Sequence, residues 1–161
     1  MTDTVAQFEH VIGICRELYA KKLKDYGPAW RILRTTSLTD QIFIKANRIR
    51  SIEMKGMSCI DEDIRSELIG IVNYGIIGLI QLNLGFSGDE DITVEQALEL
   101  YDRFMTQTKN LMYAKNHDYD EAWRLMRPTS YTDFILSKVH RTKQIEDNKG
   151  VTLVSEGVDA N

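Results

Sequence analysis

The 161-residue sequence holds two prolines, Pro28 and Pro128, and long stretches of good helix formers run unbroken around them. That scarcity predicts an all-α chain with little room for a sheet. Cysteine is just as rare. Cys15 and Cys59 lack metal-ligand spacing and read as buried, reduced thiols of a cytoplasmic protein. The opening MTDTVAQFEH has no basic start followed by an apolar run, so no secretory signal is expected. His10, His117 and His140 have no partner at zinc spacing, and no Ser-His or Cys-His pair recurs, which argues against zinc chemistry and covalent catalysis. No glycine-rich phosphate loop follows a strand; Gly70, Gly75 and Gly78 read as sites of close helix packing. A net charge of −4 and a pI near 5.4 weigh against a duplex-binding module that neutralises phosphates.

What the sequence has is one segment written twice. Asp25 to Glu53 recurs as Asp118 to Glu146 at an offset of 93, and 17 of 36 positions are identical when Leu18 is set against Leu111. Unrelated sequences would share roughly two, so the pattern reads as an internal duplication. Both tryptophans, Trp30 and Trp123, are matched by it. The expectation is one domain over 1–161, an internally duplicated helical bundle built from repeats 1–88 and 89–161 around a shared core.

Apolar residues at spacings of three and four predict a helix from Val5 to about Lys24 and its counterpart from about Val94 to Lys115, with Thr93 and Gln96 as a capping pair. Pro28 suits the first turn of a short helix, and Asp118 with Glu121 has capping-box spacing. The next helices are expected to open at Ser37 and Ser130, with Asp40 and Asp133 three residues on. On a wheel of about 100° per residue, Lys45 and Glu53 fall inside the apolar arc of Ile42, Phe43, Ala46, Ile49 and Ile52. Lys138 and Glu146 repeat that placement, and Arg48 and Arg141 sit at its rim. A charge facing a core needs a partner.

Residues 61–84 are the most apolar part of the chain, nearly apolar all round from Leu68 to Leu84; a membrane span is the alternative, but Asn73, Tyr74 and Gln81 interrupt the run and a central buried helix fits better. Glu67, Gly70, Tyr74 and Gln81 line one stripe of it, and Asn73 lies on another side. A linker with Gly85, Gly88 and an acidic run follows. At the end, KGVTLVSEGVDAN aligns with KGMSCIDEDIRSE, so Asn161 falls opposite Glu67. The expectation is about 20 further residues forming a second apolar helix, a length estimated from the first copy, or a partner that supplies one.

The chemistry that survives these exclusions is a carboxylate-and-cation site between helices. Glu53, Asp63 and Glu67 are hard oxygen ligands that could hold Mg²⁺ against a polyphosphate, with Asp63 and Glu67 on one helical face. Lys45 and Arg48 would neutralise phosphate oxygens, and Tyr26 or Trp30 would stack on a base. The competing reading is an acidic helix start and charges that only fix the bundle.

The pattern KxDYGxAW, a helix with K-x-x-R, and then E-x-x-x-x-x-N-Y in an apolar helix resembles nucleotide modification associated domain 1 (DUF1599). It also resembles the wider MazG-like, all-α nucleoside triphosphate pyrophosphohydrolases. The matching residues are Lys22, Asp25, Tyr26, Gly27, Ala29, Trp30, Lys45, Arg48, Glu67, Asn73 and Tyr74, with Lys115, Asp118, Tyr119, Trp123, Lys138 and Arg141 repeating the first part. The resemblance implies a Mg²⁺-dependent helical bundle that acts on or handles nucleotides or modified nucleotides. One departure stands out: Glu67 is followed at the third position by Gly70, and Glu53 by Gly56, so no E-x-x-E or E-x-x-D metal pair is complete. The expected function is nucleotide binding, with pyrophosphohydrolysis as its enzymatic version: Glu53 and Glu67 catalytic, and Asp25, Tyr26, Trp30, Lys45, Arg48, Asn73, Lys138 and Arg141 holding substrate. The alternative is a noncatalytic helical scaffold or nucleotide sensor. A homo-oligomer is compatible with either.

Overall fold

The computed structural model describes residues 2–56 and 63–161, and among them it contains α-helices, 3-10 turns and no strand. The α-helices are α1 (Thr2–Tyr26), α2 (Thr35–Lys55), α3 (Ile64–Leu84), α4 (Val94–Tyr119) and α5 (Pro128–Asp147). Single-turn 3-10 helices at Ala29–Ile32 and Ala122–Leu125 follow α1 and α4. These boundaries repeat the sequence offset. α1 and α4 end 93 residues apart, and so do the starts of the two 3-10 turns and of α2 and α5.

Thr93 and Gln96 form a reciprocal capping box at the start of α4, as their spacing predicts. Two other expected starts differ. α2 and α5 open at Thr35 and Pro128, earlier than Ser37 and Ser130, with Arg34 and Arg127 in extended conformation and no side-chain cap. Asp118 lies inside α4, and Glu121 takes a left-handed conformation, so the two do not form a capping box. Asp25 likewise belongs to the last turn of α1 and caps no N-terminus.

The chain divides into two compact units that cut across the repeats. The first is 1–32 with 86–126; the second is 33–85 with 127–161. In the first unit α1 lies antiparallel to α4. Cys15, Tyr19 and Leu23 of α1 and Ala97, Tyr101, Phe104 and Met105 of α4 are buried in its core. The rings of Tyr19 and Tyr101 stack at 4.3 Å, and Tyr19 Oη donates to the Ala97 carbonyl at 3.1 Å. Burial pushes both phenols above their ordinary range. Cys15 is a buried cysteine that forms no disulfide among the described residues, as expected of a reduced thiol; Cys59 lies outside the described residues.

In the second unit α2 packs antiparallel to α5 on one side and to α3 on the other. Leu38, Ala46 and Ile49 of α2, Val139 and Ile145 of α5, and Ile76, Ile77 and Ile80 of α3 are its buried apolar residues. The expectation of a centrally buried α3 is met on one face only. Its other face leaves Leu68, Val72 and Leu82 between 36% and 42% exposed, because α2 is the helix of this unit it packs against.

Polar contacts within each unit come in reciprocal pairs offset by 93. Arg16 donates to Asp102 at 2.7 Å, and Lys109 donates to Glu9 at 2.9 Å. Between α2 and α5, Thr39 donates to Glu146 at 3.0 Å and Thr132 to Glu53 at 3.1 Å. Arg50 pairs with Asp133 at 2.7 Å, and Lys143 with Asp40 at 3.6 Å. Exchange of the two copies reproduces each of these contacts, so each helix pair has local two-fold character.

Candidate functional site

The charged centre of the second unit is Glu67. It is 4% exposed, on the first turns of α3, and its two carboxylate oxygens face different cations of α2. Arg48 Nη1 donates to Oε1, and Lys45 Nζ lies 3.5 Å from Oε2. Arg48 and Lys45 stand one turn apart, so both can reach a single carboxylate from the same face of α2. This is the partner that Lys45 required when it fell inside the apolar arc.

The stripe Glu67, Gly70, Tyr74 and Gln81 faces α2. A methyl group at Gly70 would stand 2.7 Å from Lys45 Cε and 2.8 Å from Cδ, so the glycine leaves the space in which the lysine stem lies. One turn on, Lys45 Nζ sits 5.9 Å from the centroid of the Tyr74 ring. Gln81 Nε2 donates to the Leu33 carbonyl at 2.7 Å and secures the far end of α3. Asn73 is buried, 8% exposed, on the same helix.

The other predicted carboxylates do other work. Asp63 is the N-cap of α3 and accepts from the Ser66 amide at 3.0 Å. Glu53, half-buried, accepts from Thr132. Its counterpart Glu146 accepts from Thr39, and desolvation raises its carboxyl above the ordinary value despite that bond. Among the described residues no three His, Cys, Asp or Glu side chains are grouped to hold a metal ion. Glu53, Asp63 and Glu67 are engaged separately: Glu67 faces two cations, while Glu53 accepts from a threonine and Asp63 from a helix terminus.

On α5 the same lysine and arginine stand differently. Lys138 is exposed and Arg141 half-buried, and neither has an ion-pair partner among the described residues. The remaining predicted residues belong to the first unit. Asp25 is exposed, Tyr26 is 69% exposed, and Trp30 is half-buried with its ring 6.5 Å from that of Tyr19.

Sequence reasoning passed over Arg31. It is 3% exposed and makes a two-pronged pair with Asp91, Nε to Oδ1 at 2.8 Å and Nη2 to Oδ2 at 3.2 Å. The guanidinium holds the Asp91 carboxyl below its usual range. Beside it Gly27, at φ 64°, brings the backbone against Glu90; a methyl group there would stand 2.7 Å from Glu90 Oε2. The segment 86–93 is thereby fastened to the turn that follows α1, and the Ser87 backbone N–H donates to the Arg31 carbonyl at 2.9 Å. The signal available was the recurrence of Arg31 as Arg124 beside each tryptophan.

Residues 22–82 and 115–161 match the family model described as nucleotide modification associated domain 1. The two matched stretches start at Lys22 and Lys115, 93 residues apart. No curated protein and no solved structure matches the chain significantly.

Proposed function

The chain belongs to the nucleotide modification associated domain 1 family, and from that premise we propose that it binds a nucleotide by its phosphates through side-chain cations. The observation that carries this reading is the contrast between two equal cation pairs. Lys45 and Arg48 are neutralised by Glu67, whereas Lys138 and Arg141 on α5 have no carboxylate partner among the described residues. An arginine and a lysine one turn apart on a helix present a fork of donors and a point charge to the same anion. A di- or triphosphate is an anion of the right charge for such a pair. The neutralised pair on α2 is then the fixed frame, and the α5 pair the ligand-facing one.

The pyrophosphohydrolase version, with Glu53, Asp63 and Glu67 holding Mg²⁺, has less support, since those three carboxylates are engaged separately. The experiment is calorimetric titration with a panel of canonical and modified deoxynucleoside triphosphates, alongside a pyrophosphate-release assay with Mg²⁺. Binding without turnover is expected. Replacing both Lys138 and Arg141 by alanine should weaken binding about tenfold or more, the loss of at least one charge-assisted bond. Turnover would revive the hydrolase reading, and affinity unchanged in the double variant would remove the α5 pair from the site.

A further inference from the structure

α3 has a mean hydropathy of 1.4 over its most apolar window, yet only 33% of that window is buried. The uncovered side is ordered. Leu68, Val72, Gly75, Leu79 and Leu82 follow one another at spacings of four, three, four and three, the repeat that keeps one seam facing a neighbouring helix. Leu68, Val72 and Leu82 are 41%, 36% and 42% exposed. A methyl group at Gly75 or at Gly78 would meet nothing within 4 Å. Nothing described in the chain therefore requires glycine at either place, although each costs a helix interior about 1 kcal/mol against alanine. Glycine at the middle of an apolar seam is explained by another backbone coming close.

We propose that this face is a self-association surface, on which α3 of a second copy packs antiparallel across a two-fold axis at Gly75. The argument for a second copy is that the seam is complementary to itself. A two-fold isologous contact needs the same patch on both partners. Rotation about Gly75 lays Leu68 against Leu82 of the other copy, sets Val72 beside Leu79, and brings the two glycines together. A helix of this length gives a contact about 30 Å long. The opposite face is already engaged through Glu67 with Lys45 and Arg48 and through Gln81 with the Leu33 carbonyl, so α3 docks as a fixed part of its unit. A lipid surface would be indifferent to the four-three spacing and to the symmetry about Gly75.

Sedimentation equilibrium of the full chain is expected to give twice the 18.5 kDa of one copy. Gly75→Leu, whose side chain starts into open space, should return the chain to a monomer with helix content unchanged. In a Cys59→Ser background, Leu68→Cys mixed with Leu82→Cys should cross-link under oxidation, and Leu68→Cys alone should not. A wild-type chain that stays monomeric at high micromolar concentration overturns the proposal. So does a dimer that survives Gly75→Leu, a cross-link from Leu68→Cys alone, or a monomer that co-floats with phosphatidylcholine vesicles.

Discussion

α2 and α5 carry the same threonine, lysine, arginine and glutamate at the same spacing, and they bond to each other reciprocally through Thr39 and Glu146, Thr132 and Glu53. They differ in what lies on their outer sides. α2 is covered by α3, which brings one buried carboxylate to two cations. Among the described residues no helix covers α5 in this way, and its Lys138 and Arg141 have no ion-pair partner. One residue set is thus paired with a buried carboxylate in one copy and has no carboxylate partner among the described residues in the other. The neighbour decides, because a cation's role depends on where its counter-charge is.

The sharpest way to break the comparison is to take the carboxylate from α2. Glu67→Ala should remove the buried carboxylate that faces Lys45 and Arg48, at a cost of about 3 kcal/mol in urea unfolding, the loss expected when one partner of a buried ion pair is removed. Lys138→Ala on α5 should cost under about 0.5 kcal/mol, as an exposed substitution away from such a feature. Equal losses at the two sites would mean that the copies are energetically alike.

A smaller effect isolates the space that Gly70 leaves for the Lys45 stem. Gly70→Ala gains helix propensity but sets its methyl group 2.7 Å from Lys45 Cε, so the lysine must shift away from Glu67. A net loss of about 1 kcal/mol is expected, the crowding outweighing the propensity gain. Gly78→Ala meets nothing and should stabilise the free chain by roughly 0.5–1 kcal/mol. Thermal unfolding of the two variants separates these signs.

Much of this was legible in the sequence and some was not, for a physical reason. Helices follow from local periodicity, so the five long elements and the 93-residue register of their ends could be read directly. Lys45 was marked by its place in an apolar arc, and the stripe from Glu67 to Gln81 by its common face, so the pairing across α2 and α3 was half stated. Its partner assignment needed the antiparallel packing. The Arg31–Asp91 pair links residues 60 apart through a linker, and no local pattern announces it. The open face of α3 was likewise invisible. A helix apolar all round predicts burial, and only the arrangement of its neighbours shows which side they fail to cover. The helix starts were misplaced because Arg34 and Arg127 begin α2 and α5 with no side-chain cap to read.

The reciprocal threonine bonds offer a finer test. Thr39→Val and Thr132→Val each remove a hydroxyl donor from a half-buried carboxylate and should cost about 1 kcal/mol apiece. If α2 and α5 are held as equals, the two losses match within a few tenths, as for a symmetric pair of separated sites. Combining them tests additivity directly.

The smallest expected effect lies in the acid arm of stability. Desolvation, opposed by the Thr39 bond and reinforced by Asp40 and Asp147, raises the Glu146 carboxyl above its ordinary value of 4.5. A carboxyl whose folded value is raised binds its proton more tightly when folded, so its stabilising contribution is complete below 4.5 and is lost as pH rises through the raised value. At neutral pH the charged form is therefore the costly one. Glu146→Gln keeps an acceptor for Thr39 without the charge and should stabilise the chain slightly at pH 7, with the gain shrinking as pH falls through the raised value towards 4.5. Unfolding midpoints at pH 7 and pH 4 measure it; a gain that grows in acid would show that the Thr39 bond outweighs desolvation at this glutamate.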